Sequence, residues 1–187
     1  MRAQRRDHHA VLRSPAALYF PALGVLVPRH NNVLALLGTP EGVVVHPGHN
    51  IVTNAGDTYY AQSICGESQT NTFANLSLGT AGTPGKTADY SDITVIGSTE
   101  KAPSSGYPRT ADPDADNTGA AADVVTWLYE YAKADFNNGA ITHGIVTAAT
   151  PSGSDPALTL FAFSGGAFGK TANDTLKVFV NHTQTGV

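Results

Sequence analysis

The chain of 187 residues is long enough for about one domain with a real hydrophobic core. Hydrophobic residues make up 41% and charged residues only 14%, against roughly 25% charged in ordinary soluble domains, and 19 glycines with 11 prolines favour a turn-rich β protein over a helical bundle. A net charge of −4 is too mild to mark a nucleic-acid binder, the single cysteine, Cys65, excludes an intrachain disulfide framework, and no apolar run reaches the roughly 18 residues of a membrane span.

The charge is unevenly spread. Residues 1–30 hold five arginines (Arg2, Arg5, Arg6, Arg13, Arg29) and one acid, Asp7, while every lysine lies at Lys86 or later. This separates a front segment, residues 1–48, from the remainder, 49–187. The apolar run Ala16–Val27 behind a basic start has the form of a secretion signal, but Pro15, Pro21 and Pro28 interrupt it and no small-x-small cleavage site follows directly. The favoured reading is an extended, proline-interrupted basic arm that orders on a partner or a neighbouring subunit. In it Arg5, Arg6, Arg13 and Arg29 pair with acidic patches, while Tyr19, Phe20, Leu23 and Leu26 supply apolar anchors. Fully extended at ~3.3 Å per residue, such an arm reaches on the order of 100 Å. A start codon assigned too far upstream would leave the same segment without selected structure.

In residues 49–187 the elements follow in order. Thr53 or Asn54 can cap a short helix through Asp57, Tyr59, Tyr60 and Ile64, stopped by Gly66. Phe73–Thr80 alternates, with Ala74, Leu76 and Leu78 on one face, which is the pattern of a strand. Gly79–Asp92 is a loop by composition, Ile93–Ile96 a short apolar strand, and residues 97–122 a second long loop. In Asp123–Phe136, Val125, Trp127, Tyr129 and Tyr131 share one face of a strand, with Thr126 and Glu130 on the other. Asn137-Asn138-Gly139 is a turn tolerant of positive φ, and Ile141–Ala149 returns. Ala157–Ser164 sets Leu158 and Leu160 opposite Phe161 and Phe163. Thr175–Thr183 alternates Leu176, Val178 and Val180 against Lys177, Phe179 and Asn181. The expectation is an all-β domain, a β-sandwich or jelly roll with one short helix. Apolar residues on both faces of the late strands imply that one face meets the second sheet and the other a partner chain.

Asp112, Asp114, Asp116 and Asp123 form the strongest ligand-like string, because carboxylates at alternate positions of a tight loop suit a hard cation. Asn117 stands where a calcium hand needs glycine and Pro113 stiffens the start, so a solvated acidic loop is preferred over a loose calcium loop. His46 and His49 have a ligand-compatible spacing but no third ligand nearby, and His143 and His182 sit on strands. Cys65 ends the helix and reads as a small buried hydrophobe; there is no G-x-S-x-G elbow. Gly79–Lys86 is superficially a phosphate loop, yet its glycines are misplaced and no helix follows Lys86. Neither a cofactor nor a catalytic constellation emerges.

The order of segments resembles a widespread group of tailed-bacteriophage structural proteins. Asn50–Gln62 (NIVTNAGDTYYAQ) is similar to their N-x-[IV]-T-x-x-G helix, and Phe73–Pro84 (FANLSLGTAGTP) to a strand ending in L-G-T-G before a Thr/Ala-rich loop. Ala134–Pro151, a strand like LTLFAF, and Gly169–Val180 resemble their C-terminal halves. Thr142-His143-Gly144-Ile145 departs from the family, where an acidic residue before a Gly-Leu pair is common, and residues 1–48 have no counterpart. The resemblance implies a non-enzymatic virion protein without cofactor. It would be a capsid cement (decoration) protein that binds and stabilises the major capsid protein, as a homotrimer on the capsid exterior, assembled in the bacterial host cytoplasm without direct contact to nucleic acid or membrane. A tail, neck or fibre component is the alternative. A carbohydrate-binding β-sandwich, with Trp127, Tyr129 and Tyr131 as a stacking platform, is the competing class. Deletion of residues 1–45 is expected to leave the β domain folded.

Overall fold

The structure, a computed structural model, describes residues 12–13, 17–20, 25–28, 31–110 and 124–183, the first three stretches through their backbone alone. Strand-forming alternation is strongest in VVTWLYEY and TLKVFVNHT, and these are the strands Val124–Tyr131 and Thr175–Thr183. They lie side by side in one antiparallel sheet, Val180 opposite Trp127 and Val178 opposite Tyr129. In chain order the strands are β1 (Leu12–Arg13), β2 (Ala17–Phe20), β3 (Val25–Pro28), β4 (Asn32–Thr39), β5 (Gly42–Val52), β6 (Asn75–Gly82) and β7 (Ile93–Val95). After them come β8 (Arg109–Thr110), β9 (Val124–Tyr131), β10 (Asn138–Ile141), β11 (His143–Thr147), β12 (Ala157–Phe163), β13 (Phe168–Lys170) and β14 (Thr175–Thr183). One helix, α1 (Asn54–Cys65), lies between β5 and β6, and a single 3-10 turn, Tyr90–Asp92, precedes β7.

The fold is mostly β. Nine strands form an antiparallel sheet in the order β7-β6-β11-β12-β5-β4-β14-β9-β8; β10 and β13 make a two-stranded sheet, and β1-β2-β3 a separate antiparallel one. One face of the large sheet supplies the main core: Val33, Ala35 and Leu37 from β4, Leu176, Val178 and Val180 from β14, Trp127, Tyr129 and Tyr131 from β9, and Leu76 and Leu78 from β6. Each large apolar side chain so buried contributes about 1.5–3 kcal/mol. Strands far apart in the sheet order meet across this core. The Tyr129 hydroxyl donates to the Ala74 carbonyl at 3.0 Å and the Tyr131 hydroxyl to the Thr99 carbonyl at 2.8 Å.

The helix forms where expected. Thr53 accepts from the Gly56 N–H at 3.0 Å, and Gly66 closes the helix in the left-handed conformation at φ 68°. The helix start is held to β12 by backbone: the Thr53 N–H donates to the Leu158 carbonyl and its hydroxyl to the Ala157 carbonyl. A Cβ on Gly56 would run into the Leu158 carbonyl oxygen, so glycine is what lets α1 lie this close.

Several expectations are corrected. Residues 32–48, assigned to an arm, form β4 and most of β5, which are central in the large sheet. Prolines do not prevent this. Pro40 lies in the tight connection between the strands, and Pro47 accepts from the Ser164 N–H through its carbonyl where β12 ends, so its missing N–H breaks no ladder bond. Deleting residues 1–45 would therefore remove β4 and open the core. Leu158 joins Phe161 and Phe163 in the main core while Leu160 packs with Ile145 and Ile93 on the other face. A register shift opposite Val146 and Thr147 inserts a bulge that turns Leu158 over. The second face of the late strands is covered by this chain itself. Leu34, Leu128 and Phe179 are buried there with Leu36, Val45 and Tyr107 against them. Asn138 and Gly139 belong to β10 rather than to a turn, and Cys65 is exposed rather than buried.

Candidate functional site

The polar side chains that the fold treats with most care gather at the end of the sheet where β4 begins and β14 ends. On the second face Asn32, Asn181 and Thr126 stand in one cross-strand row, all fully buried. The Asn181 amide donates to Asn32 Oδ1 at 2.7 Å and its Oδ1 accepts from the Thr126 hydroxyl at 2.7 Å. Asn50 Nδ2 reaches the Asn181 carbonyl at 3.3 Å, and the Thr183 N–H donates to Asn31 Oδ1 at 3.1 Å. Amides suit this place because each offers both donor and acceptor to strands on either side.

On the opposite face of the same row, His182 points into the core beneath α1. Tyr60 Oη lies 2.5 Å from His182 Nδ1, and Trp127 Nε1 donates to Tyr60 Oη at 3.2 Å. The indole N–H can only donate, so Tyr60 Oη accepts from Trp127 and keeps both a proton and a second lone pair for the contact with His182 Nδ1. Burial drives the His182 pKa down to about 3 and raises that of Tyr60. The histidine is thus too weakly basic to serve as a general base near neutral pH. His182 Nε2 and Asn50 Oδ1 are buried without a hydrogen-bond partner among the described residues.

A buried lysine braces the far end. Lys170 Nζ donates to the carbonyls of Lys133 at 3.0 Å, Phe136 at 3.1 Å and Thr171 at 3.3 Å, and sits 5.1 Å from the Phe136 ring centroid. Burial lowers its pKa, with Asp135 and Asp174 pulling the other way. Three carbonyls around one ammonium hold two turns together.

The residues singled out in the sequence are distributed as follows. Asp112, Asp114, Asp116 and Asp123 lie outside the described residues, as do Arg5, Arg6, Leu23 and Arg29. Arg13 falls in β1, Tyr19 and Phe20 in β2, and Leu26 in β3, with Tyr19 opposite Leu26 in register. Trp127, Tyr129 and Tyr131 are buried core residues, at most 2% exposed, so they form no sugar-stacking platform. His46 stacks on Phe168 with ring centroids 3.9 Å apart, and no group of three metal-ligating side chains occurs among the described residues. Lys86, at the end of the glycine-rich loop, pairs with Asp57 at 2.8 Å on the surface. No helix is long and apolar enough to cross a membrane among the described residues.

The sequence reading missed one surface. At the tip of the β4–β5 hairpin Val43 is 54% and Val44 46% exposed, and with Ile64 they are the large hydrophobic side chains most open to water among the described residues. The run GVVV between Gly42 and Pro47 was the available signal. Comparison of the chain with protein families, with curated proteins and with solved structures finds no match.

Proposed function

We propose that the chain is a non-enzymatic structural protein of a tailed-phage virion, a cement protein that binds the major capsid protein from the capsid exterior as a homotrimer. In this reading the two halves of its large sheet pack as a jelly-roll-like sandwich. The proposal starts from the order of segments between Asn50 and Val180. The structural observation that carries it is where the basic front segment enters the domain. That segment runs directly into Asn31 and Asn32, which are tied to β14 by the amide row and the Thr183 bond. Behind them β4 is paired with β14 on one side and β5 on the other. A pull on residues 1–30 is therefore delivered to a central strand whose ladder bonds share the load, as a tether on a pressurised shell requires. Tyr60, His182 and Lys170 are all engaged inside the domain, which fits a protein that holds rather than transforms.

Quantitative mass spectrometry of purified virions against the major capsid protein tests this. A copy number equal to the major capsid protein, or a simple fraction of it, supports the cement reading. A handful to a few dozen copies moves the chain to the tail or neck, and absence from the particle overturns the virion reading. Deletion of residues 1–30 is expected to leave the domain folded and reduce shell occupancy; unchanged occupancy would remove the arm from the mechanism.

A further inference from the structure

Along β5 the main-chain groups alternate in direction. The Asn50 N–H donates to the Asn31 carbonyl, so even-numbered residues face β4; the Pro47 carbonyl accepts from Ser164, so odd-numbered residues face the other way. On that other side β12 pairs with residues 48–52 and stops. From Gly42 to His46 the strand is paired with β4 only, and among the described residues no strand is hydrogen-bonded to its outer edge. The N–H and C=O groups of Val43 and Val45 point out from this edge, beside side chains that are strongly exposed at Val43 and Val44. No lysine, bulge or inward charge guards residues 42–46, which are the usual protections of an edge. Such an edge is satisfied by an extended chain rather than by a flat apolar surface.

We propose that this edge pairs antiparallel with the same edge of a second copy, about a two-fold axis through Val44. Self-pairing fits the strand at each position. Val44 stands opposite Val44, Val43 opposite Val45, and Gly42 opposite His46, where the missing side chain leaves room for the imidazole. Val43 and Val45 both face outward, so the two copies exchange about four N–H···O bonds. Glu41 falls opposite Pro47, and no like charges meet. The lengths also agree. Beyond residue 47 the edge of each copy is occupied by β12, and before residue 42 each chain turns away at Pro40 and Glu41. The β12 strand of one copy therefore falls beside the turn of the other, and the edge offered equals the space left. This reciprocity selects a second copy over an unrelated peptide. The contact is isologous and closes after two chains, so it links molecules in pairs and does not propagate a fibre. It is small beside the ~800 Å² per partner of a standard interface, so pairing depends on concentration. The inference stands on the edge geometry and is independent of the virion reading; in a shell it would join neighbouring oligomers.

Sedimentation velocity of the full chain in a Cys65→Ser background, over a concentration series, is expected to show a monomer–dimer equilibrium, or pairing of larger units. Val44→Lys sets two ammonium groups across the axis and should weaken the pairing by about tenfold or more, with an unchanged circular dichroism spectrum. Opposite Val44 residues form a non-hydrogen-bonded pair with Cα atoms about 4.5 Å apart, within disulfide reach. Val44→Cys should thus crosslink with itself on mild oxidation, while Val43→Cys, which faces Val45, should not. The crosslinking pair decides the matter should Val44→Lys fail to fold. Absence of concentration-dependent pairing, or equal crosslinking at 43 and 44, overturns the proposal.

Discussion

At one end of the β4–β5 hairpin a row of buried side chains, Asn32, Asn181 and Thr126, is matched across strands; at the other, three valines in succession lie along an edge that β12 does not reach. The base, with Asn32, Asn50, Asn181 and His182, is fully buried, whereas the tip at Val43 and Val44 is open to water. The difference separates two tasks. Buried amides fix register, because a slip of one residue would carry Asn181 into the apolar core and Val180 out of it. The tip specifies nothing within the chain and is free to specify something outside it. A single hairpin thus combines an internal lock with an external edge.

Substitutions at the base should cost most. Trp127→Ala removes a core indole and leaves Tyr60 without its donor, with an expected loss of about 3–5 kcal/mol in urea unfolding. A loss below 1 kcal/mol would mean that the base is not a lock. Asn181→Ala removes the side-chain hydrogen bonds to Asn32 and Thr126 in a fully buried row and should cost about 1–3 kcal/mol, measured in the same way. His182 gives the contrast a pH dependence. Its folded pKa of about 3 lies below the unfolded value of 6.5, so the unfolded chain binds a proton that the folded chain refuses. Its contribution is complete above pH 6.5 and falls as the pH drops toward 3, by up to about 1.4 kcal/mol per unit. His182→Gln should flatten the stability profile between pH 6.5 and about 5, above the range where Glu100, Glu130, Asp135 and Asp174 protonate. His46 and His143, also lowered by burial, leave a residual slope. An unchanged profile would show that residue 182 does not titrate as its burial requires. The smallest effect belongs to the tip, where Val43→Thr should change monomer stability by less than about 0.5 kcal/mol.

Local signals were legible in the sequence and distant ones were not. Thr53 and Gly66 bounded α1 because capping is decided within a few residues. The alternation of β9 and β14 identified their core faces for the same reason. β4 and β5 were missed because their continuous apolar runs, broken by Pro40 and Pro47, have no period. Pro40 falls in the turn between the strands, while the tolerance of Pro47 depends on where β12 stops, more than a hundred residues further along. The pairing of Tyr60 with His182 spans 122 positions and leaves no local trace. The bulge that turned Leu158 was equally invisible, since it is set by the register with β11.

The bond between the Thr183 N–H and Asn31 Oδ1 places the two ends of the described domain side by side. The domain is thus close to a closed loop of sequence, and a short linker from Thr183 to Asn31 could join it, with new termini opened at the Ser152–Asp155 turn. Chain entry and chain exit of the large sheet thus share one corner, so a cut at that turn would leave the order of strands in the sheet unchanged.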